Sequence, residues 1–265
     1  MKKDMEKKRQ DKKSQVSVFI IIGLIIIVIA VVLFINRSNL ASLILGKTPV
    51  EQIKSCSLEN LKEGMTIVSM QGGVIAPENY YLYKGNKIEY ICYTEESFKK
   101  CVMQKPLLKN TIEEELVSYV KPRVNECLSE VKSSLERSGK KVSYKEPIIN
   151  VSVSPEIILM NIELGLTIEK NGETESYKDI KTDINSEMYN LIITAGDIAN
   201  SEANYGDADT TSLMIKDKTL KVEKIKQGDE TKVYILTDRK TDEQFYFAVK
   251  SIPIPPGWIE LEKIK

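Results

Sequence analysis

The chain has 265 residues, of which 42% are hydrophobic and 29% charged, and its 38 basic and 38 acidic side chains give a formal net charge of zero. The charges are spread unevenly, because residues 1–15 are basic, residues 16–35 carry no charge and the remainder is mildly acidic. This acidic remainder argues against nucleic acid as a partner, since a phosphate-binding surface needs clustered positive charge. The chain has no histidine, the commonest metal ligand and general base, and it shows no catalytic motif. We therefore expect no metal, no cofactor and no enzymatic activity.

Residues 16–35 predict a transmembrane helix. They read VSVFIIIGLIIIVIAVVLFI, and a helix of about 20 residues, rising about 1.5 Å per residue, spans roughly the 30 Å of a bilayer's hydrocarbon core. Seven Lys or Arg residues precede this segment and few follow it closely, so the positive-inside rule places the N-terminus in the cytoplasm. We expect a basic cytoplasmic tail over residues 1–15, an uncleaved signal anchor, a stalk over residues 36–47 and an extracytoplasmic remainder.

The residues from Lys12 to Phe19, KKSQVSVF, resemble the class III signal peptide of archaeal type IV pilin-like proteins. In that family a basic stretch ends in a small residue, cleavage follows, and the mature chain opens with Gln-x-Ser-x-Glu before the apolar helix. Gln15 and Ser17 match this pattern and Ser14 stands before the cut, whereas Phe19 occupies the position of the Glu. The resemblance implies processing between Ser14 and Gln15 and a filament subunit. The alternative is a simple anchor that keeps its basic tail.

Four cysteines, all on the predicted outer side, are candidates for disulfide bonds. An even number of cysteines outside the cytoplasm is typical of disulfide-bonded domains, and the lack of a Cys-x-x-C pair disfavours a zinc site. The favoured pairs are Cys92–Cys101, which closes a short loop, and Cys56–Cys127, which joins two predicted helices. The alternatives are the pairs Cys56–Cys92 and Cys101–Cys127, or free buried cysteines that serve as small apolar residues.

Three helices are predicted after the stalk. A capping pattern at residues 48–51, TPVE, begins the first helix, and the glycines at residues 72–73 end it. One apolar stripe predicts a second helix over residues 110–137. Ser186 caps the third helix, which we expect over residues 187–203.

Strands are predicted where apolar residues alternate with polar ones. Two tyrosine-rich runs around Gly85-Asn86 predict a β-hairpin; the tyrosines favour cross-strand packing, and an exposed recognition patch is the alternative. The tail that contains Trp258 is too rich in proline for regular structure. Further strands are expected over residues 148–153, 157–168 and 177–184, and an antiparallel meander from runs at residues 213–215, 219–225, 232–237 and 244–249.

These elements predict an α+β fold, with an N-terminal transmembrane helix followed by an extracytoplasmic domain of long helices and antiparallel sheet. We place an α+β domain over residues 48–205, and a β-meander with the proline-rich tail over residues 206–265. The layout also resembles single-pass surface proteins of small-genome archaea, which implies this topology and no activity. The residues that carry the resemblance are Gln15-Val16, Phe19-Ile20-Ile21-Ile22-Gly23, Cys56, Gln71-Gly72-Gly73 and Cys127.

Three further motifs have simple interpretations. The N-x-S sequons at Asn36 and Asn150 are candidate glycosylation sites. The acidic run over residues 113–115 is interpreted as the first turn of a helix, where the dipole favours negative charge, rather than as an acid–base or metal cluster. The glycines at residues 72–73 lack the preceding strand and following Lys-Ser/Thr of a phosphate-binding loop.

The sequence therefore predicts a non-enzymatic, membrane-anchored surface protein with a structural, adhesion or assembly role. Its expected partners are the membrane and either other surface proteins or copies of itself. The alternative is a pilin-like filament subunit processed before Gln15. A surface hydrolase that uses a pair of carboxylates is a third hypothesis, because such pairs work without histidine.

Overall fold

The structure is a computed structural model and describes residues 47–96 and 99–251. The predicted transmembrane helix, the processing site at Ser14 and Gln15, the sequon at Asn36 and the tail with Trp258 lie outside the described residues. Within the described part of the chain, no helix has the length and apolar character needed to cross a bilayer.

Helices and strands are mixed along the described chain, which confirms the α+β class. All three predicted helices and the predicted hairpin are present. The helices are α1 (Pro49–Met70), α2 (Leu108–Arg137), α3 (Met188–Tyr205) and α4 (Thr210–Lys216). The strands are β1 (Tyr80–Tyr83), β2 (Asn86–Tyr93), β3 (Val102–Met103), β4 (Lys141–Ser143), β5 (Ile148–Ser154), β6 (Ile157–Lys170), β7 (Glu173–Asn185), β8 (Leu220–Lys226), β9 (Thr231–Asp238) and β10 (Gln244–Lys250).

The first sheet, sheet I, has the strand order β1-β2-β10-β9-β8, with the short β3 also paired to β2. Strands β8, β9 and β10 form the predicted antiparallel meander. The pairing of β2 with β10 is parallel, so the sheet is mixed. Residues from both sides of the predicted 205/206 boundary therefore contribute to one sheet.

The predicted strand over residues 213–215 is wrong, because these residues lie in α4. A carboxylate oxygen of Asp209 accepts hydrogen bonds from the backbone N–H groups of Thr211 and Ser212, each over 3.1 Å. This N-cap satisfies amides that a helix leaves unpaired at its start. A run of three apolar residues fits a buried strand and a helical turn equally well, so periodicity could not separate the two.

The second sheet, sheet II, is built around β6. Strand β7 pairs with one edge of β6 along most of the length of β6, and β5 and β4 pair with the other edge of β6. All three pairings are antiparallel. Alternate residues of β5 and β6 are buried, and α2 packs against β4 and β5. The opposite face of sheet II carries the exposed residues of this alternation.

Helix α1 begins with the predicted capping box and approaches α2 closely. The Thr48 N–H donates to Glu51 Oε2 over 2.8 Å, and the Glu51 N–H donates to Thr48 Oγ1 over 3.2 Å. Further along, Gly64 permits close contact between the helices, because a Cβ at this position would lie 2.8 Å from the ring of Tyr119.

Helix α3 lies against the face of sheet I that carries Lys232 and Tyr234. Its start is held by a distant carboxylate: Glu243, in the turn between β9 and β10, accepts hydrogen bonds from the Ser186 hydroxyl and the Glu187 N–H. Ser186 Oγ in turn accepts from the Met188 N–H over 3.1 Å. A carboxylate at the N-terminus of a helix also interacts favourably with the helix dipole.

Candidate functional site

A fully buried carboxylate, Glu202 on α3, is the centre of an ionic cluster against sheet I. Lys232 Nζ donates to Glu202 Oε2 over 2.6 Å, and the Tyr234 hydroxyl donates to the other carboxylate oxygen. Lys232 Nζ also donates to the Gly206 carbonyl over 2.7 Å and to Asp207 Oδ1 over 3.1 Å. All three N–H groups of the Lys232 ammonium thus have a hydrogen-bond acceptor. These bonds attach the C-terminal end of α3 to β9.

Burial and hydrogen bonding set the protonation of the ionic cluster. Removal from water raises the pKa of Glu202, and the hydrogen bonds from Lys232 and Tyr234 oppose this shift. Burial and the adjacent Glu202 carboxylate raise the pKa of Tyr234, so the phenol remains a proton donor. Burial alone would also raise the pKa of Asp207, but hydrogen bonds from Lys224 and Lys232 outweigh it and lower that pKa. Side chains that are paired and dehydrated in this way suit a structural contact better than proton transfer to a substrate.

A polar cavity of about 310 Å³ lies beside the ionic cluster. Its rim is the turn between β8 and β9, where Lys226 and Glu230 are exposed. The charged groups on its wall are of both signs, and Lys232 already has three acceptors. The cavity therefore selects neither an anion nor a cation. It is lined by Asp207, Lys226, Gln227, Gly228, Glu230, Lys232 and Ser251.

An apolar groove of about 290 Å³ lies between α3 and the residues around the start of α2. Leu107 on one wall is 67% exposed and Ile193 on the other is 43% exposed. At one end Lys105 is held by Glu89, with Nζ 3.4 Å from Oε1. A concave surface that combines apolar side chains with some polar groups is a common form of binding site, and polar or charged residues make up six of the fourteen that line this groove. The groove is lined by Ile91, Met103, Lys105, Pro106, Leu107, Leu108, Lys109, Asn110, Tyr189, Ile192, Ile193, Gly196, Asp197 and Asn200.

The cysteines form two disulfide bonds, and the pairs are those that the sequence analysis favoured. Cys56 on α1 is bonded to Cys127 on α2, with Cα atoms 6.4 Å apart. Cys92 on β2 is bonded to Cys101, just before β3, with Cα atoms 5.4 Å apart. No cysteine is left free.

The acidic run over residues 113–115 lies in the second turn of α2 rather than the first, because the helix starts earlier than predicted. Two of its carboxylates bind backbone amides of other elements. Glu113 Oε1 accepts from the Val153 N–H over 2.7 Å, and Glu115 Oε2 accepts from the Ile75 N–H over 2.9 Å. The run therefore attaches α2 to β5 and to the segment between α1 and β1, which the helix-dipole interpretation did not foresee.

The glycines at residues 72–73 end α1, as predicted, and also allow a close approach to β2. Gly72 has a φ of +77°, and a Cβ there would lie 2.8 Å from the carbonyl oxygen of Glu89. The Gly73 N–H donates to the Val68 carbonyl over 2.8 Å. Their role is to shape the backbone.

The tyrosines of the predicted hairpin mostly pack across strands. Tyr90 is buried with apolar residues of β9 and β10, and Tyr81, Tyr83 and Tyr93 are partly buried against them. The Tyr90 hydroxyl shares a hydrogen bond of 2.7 Å with Thr231 Oγ1. This supports the packing interpretation over a fully exposed recognition patch.

The candidate glycosylation site at Asn150 lies in β5 with its side chain exposed. Neither Asn150 nor any other residue of β5 lines the apolar groove. The sequence-predicted site residues that the structure describes therefore do not converge on one place: Cys92, Cys101 and Cys127 are buried, Cys56 is half-buried, and the sequon at Asn150 lies exposed on sheet II.

The ionic cluster was missed by the sequence analysis because its members come from separate segments. A signal was nevertheless present in α3, where Glu202 continues the buried stripe of Ile198 and Ala199 at helical spacing. A charged side chain in an apolar stripe needs a buried partner. Lys232 and Tyr234 are two residues apart in β9, lie on the same face of that strand, and are the partners of Glu202.

Within residues 47–96 and 99–251, no group of three or more His, Cys, Asp and Glu side chains could hold a metal ion. Comparisons of the chain with protein-family models, with curated proteins and with solved structures found no match.

Proposed function

We propose that the protein is a membrane-anchored extracytoplasmic surface protein with a non-enzymatic role in adhesion or assembly. The observation that carries this proposal is the pair of disulfide bonds, Cys56–Cys127 and Cys92–Cys101. Disulfide bonds persist in oxidising compartments outside the cytoplasm and are rare within it. An outer location agrees with a basic segment ahead of the apolar residues 16–35.

The apolar groove supports a role in protein–protein contact. Leu107 and Ile193 expose apolar surface on its two walls, and Val102, next to the lining residue Met103, is also exposed. Exposed apolar residues around a concave surface are typical of sites that receive a partner's side chains. The partner is another surface protein or a second copy of the chain.

Protease treatment of intact cells tests the location. We expect an added protease to remove the domain beyond the stalk while the basic tail, residues 1–15, survives inside the cell. In parallel, thiol labelling of the denatured protein should find all four cysteines protected until a reductant is added. A domain that is digested only after lysis, or cysteines that label without reduction, would contradict the proposal.

A pilin-like filament subunit remains the second proposal, because Gln15 and Ser17 match the pilin-like pattern while Phe19 departs from it. The mass of the mature N-terminus separates the two. A chain that begins at Gln15 supports the filament subunit, and a chain that retains its basic tail supports the simple anchor.

A further inference from the structure

The sequon at Asn150 is a motif that the proposed function leaves unused. Asn150 lies in β5 between Ile149 and Val151, which are both buried, and its own side chain is exposed on the outer face of sheet II. Ser152, the third residue of the sequon, lies on the same face, because residues two apart in a strand project to the same side. The asparagine and the hydroxyl residue of the motif are thus presented together on one surface.

The side-chain amide of Asn150 is available for reaction. Among the described residues it has no hydrogen-bond partner, whereas the amides of four other asparagines are engaged. The amides of Asn60 and Asn204 each donate to a backbone carbonyl over 2.9 Å, and Asn161 donates to a carboxylate over 3.3 Å. On the side away from β6, β5 pairs with no other strand of the described chain, and the side chain of Asn150 is exposed to solvent.

Two exposed apolar side chains lie close to Asn150. Ile148, on the same face of β5, is 69% exposed, and Leu159, which lies opposite Ser152 on β6, is 44% exposed. Exposed apolar residues on an unpaired edge strand invite pairing with another chain. A large hydrated group on Asn150 would block that approach and cover both residues.

We propose that Asn150 carries an N-linked oligosaccharide that shields this edge of sheet II. The donor class is an oligosaccharide linked to a polyprenyl phosphate or diphosphate. The bond between the sugar C1 and the phosphate oxygen breaks, Nδ2 of Asn150 forms the new bond to C1, and the amide proton passes to the released phosphate. This inference rests on the proposed extracytoplasmic location, because sequons are modified in exported chains.

Mass spectrometry of the protein isolated from its own cells tests the inference. Trypsin releases residues 146–170 as one peptide, which holds Asn150 and also Asn161, an asparagine outside any sequon. We expect a saccharide mass on Asn150 in the natural protein and its loss in Asn150→Gln and Ser152→Ala. Ser154→Ala changes a serine of the same strand outside the sequon and should keep the saccharide.

The state of the cysteines in the same sample separates this inference from the proposed function. An unmodified Asn150 in a protein whose cysteines are disulfide-bonded would overturn the glycan and leave the surface location intact. An unmodified Asn150 in a protein with free thiols would overturn both. A saccharide that persists in Ser152→Ala would show that the sequon does not direct the modification and would also overturn the inference.

Discussion

Loss of the disulfide that closes the longer loop should destabilise the domain more than loss of the other one. Cys56 and Cys127 are separated by 71 residues, and Cys92 and Cys101 by 9. A disulfide restricts the unfolded chain, and in the chain-entropy model this restriction grows with the logarithm of loop length. It amounts to about 4.4 kcal/mol for the longer loop and about 2.7 kcal/mol for the shorter one.

The comparison uses two double variants, Cys56→Ala/Cys127→Ala and Cys92→Ala/Cys101→Ala. Alanine replaces cysteine in both variants, and the packing loss is smaller in the Cys56/Cys127 variant, because Cys56 is half-buried whereas the other three cysteines are buried. A lower stability of that variant therefore reports on the loops and not on packing. The difference of about 1.7 kcal/mol corresponds to roughly 3–7 °C in Tm for a domain of this size. Thermal and urea unfolding of the full-length protein in detergent should both give the lower stability for the Cys56/Cys127 variant.

Equal losses, or a larger loss in the Cys92/Cys101 variant, would refute the loop-length argument. The single variant Cys127→Ala gives a second readout, since it leaves Cys56 without its partner on α2. A thiol reagent should then label Cys56 in the unfolded protein without prior reduction. If Cys56 stays unlabelled, it is bonded elsewhere and the pairing described above is wrong.

Three further predictions concern the ion pair, the pH dependence and the groove. Lys232→Met leaves the Glu202 charge buried without its counter-ion and should lower the free energy of unfolding in urea by about 3–5 kcal/mol. The double variant Lys232→Met/Glu202→Leu should recover most of this stability. A Lys232→Met variant as stable as the natural protein would contradict the prediction. Burial alone would raise the pKa of Asp238, but N–H donors from Thr241 and Lys240 outweigh it and lower the pKa. The stabilising effect of the Asp238 carboxylate is therefore present above about pH 4 and is lost as the pH falls through the folded pKa. The Tm of Asp238→Asn should accordingly fall less on acidification than the Tm of the natural protein. Parallel plots of Tm against pH for the two proteins would refute this role of Asp238. Leu107→Asp and Ile193→Asp should leave the free energy of unfolding within about 0.5 kcal/mol of the natural value, but should weaken association with surface partners when intact cells are crosslinked. The control is Ile215→Asp, because Ile215 is exposed on α4 outside the groove. Equal crosslinking in all three variants would rule out the groove.

Features with a local signal were predictable from the sequence. The capping box of Thr48 and Glu51 and the apolar stripe of α2 each arise from residues a few positions apart, and both are present in the structure. The favoured cysteine pairs followed from the same reasoning, because Cys127 lies within the buried stripe of α2. Patterns of this kind depend on helix geometry rather than on the rest of the fold.

Features that depend on distant residues were not predictable. The ion pair of Glu202 and Lys232 joins a helix to a strand from another part of the chain. The acidic residues Glu113 and Glu115 bind amides that no sequence spacing relates to α2. The parallel pairing of β2 with β10 likewise needs knowledge of how the two halves of the chain meet. In each case the stabilising partner is chosen by tertiary packing.

The parallel pairing of β2 with β10 sets the order in which the domain can be completed. Cys92 of β2 lies opposite Val249 of β10, so the edge of β2 that pairs with β10 stays open until nearly all of the described chain has been synthesised. Closing so long a loop is slow, and until it closes the apolar side chains of Ile88 and Ile91, buried in the finished sheet, have no cover from β10. A chain that ends before residues 244–250 therefore leaves sheet I open at β2 and β9 and is prone to aggregate. The domain cannot be shortened from its C-terminal side beyond β10 and still complete this sheet.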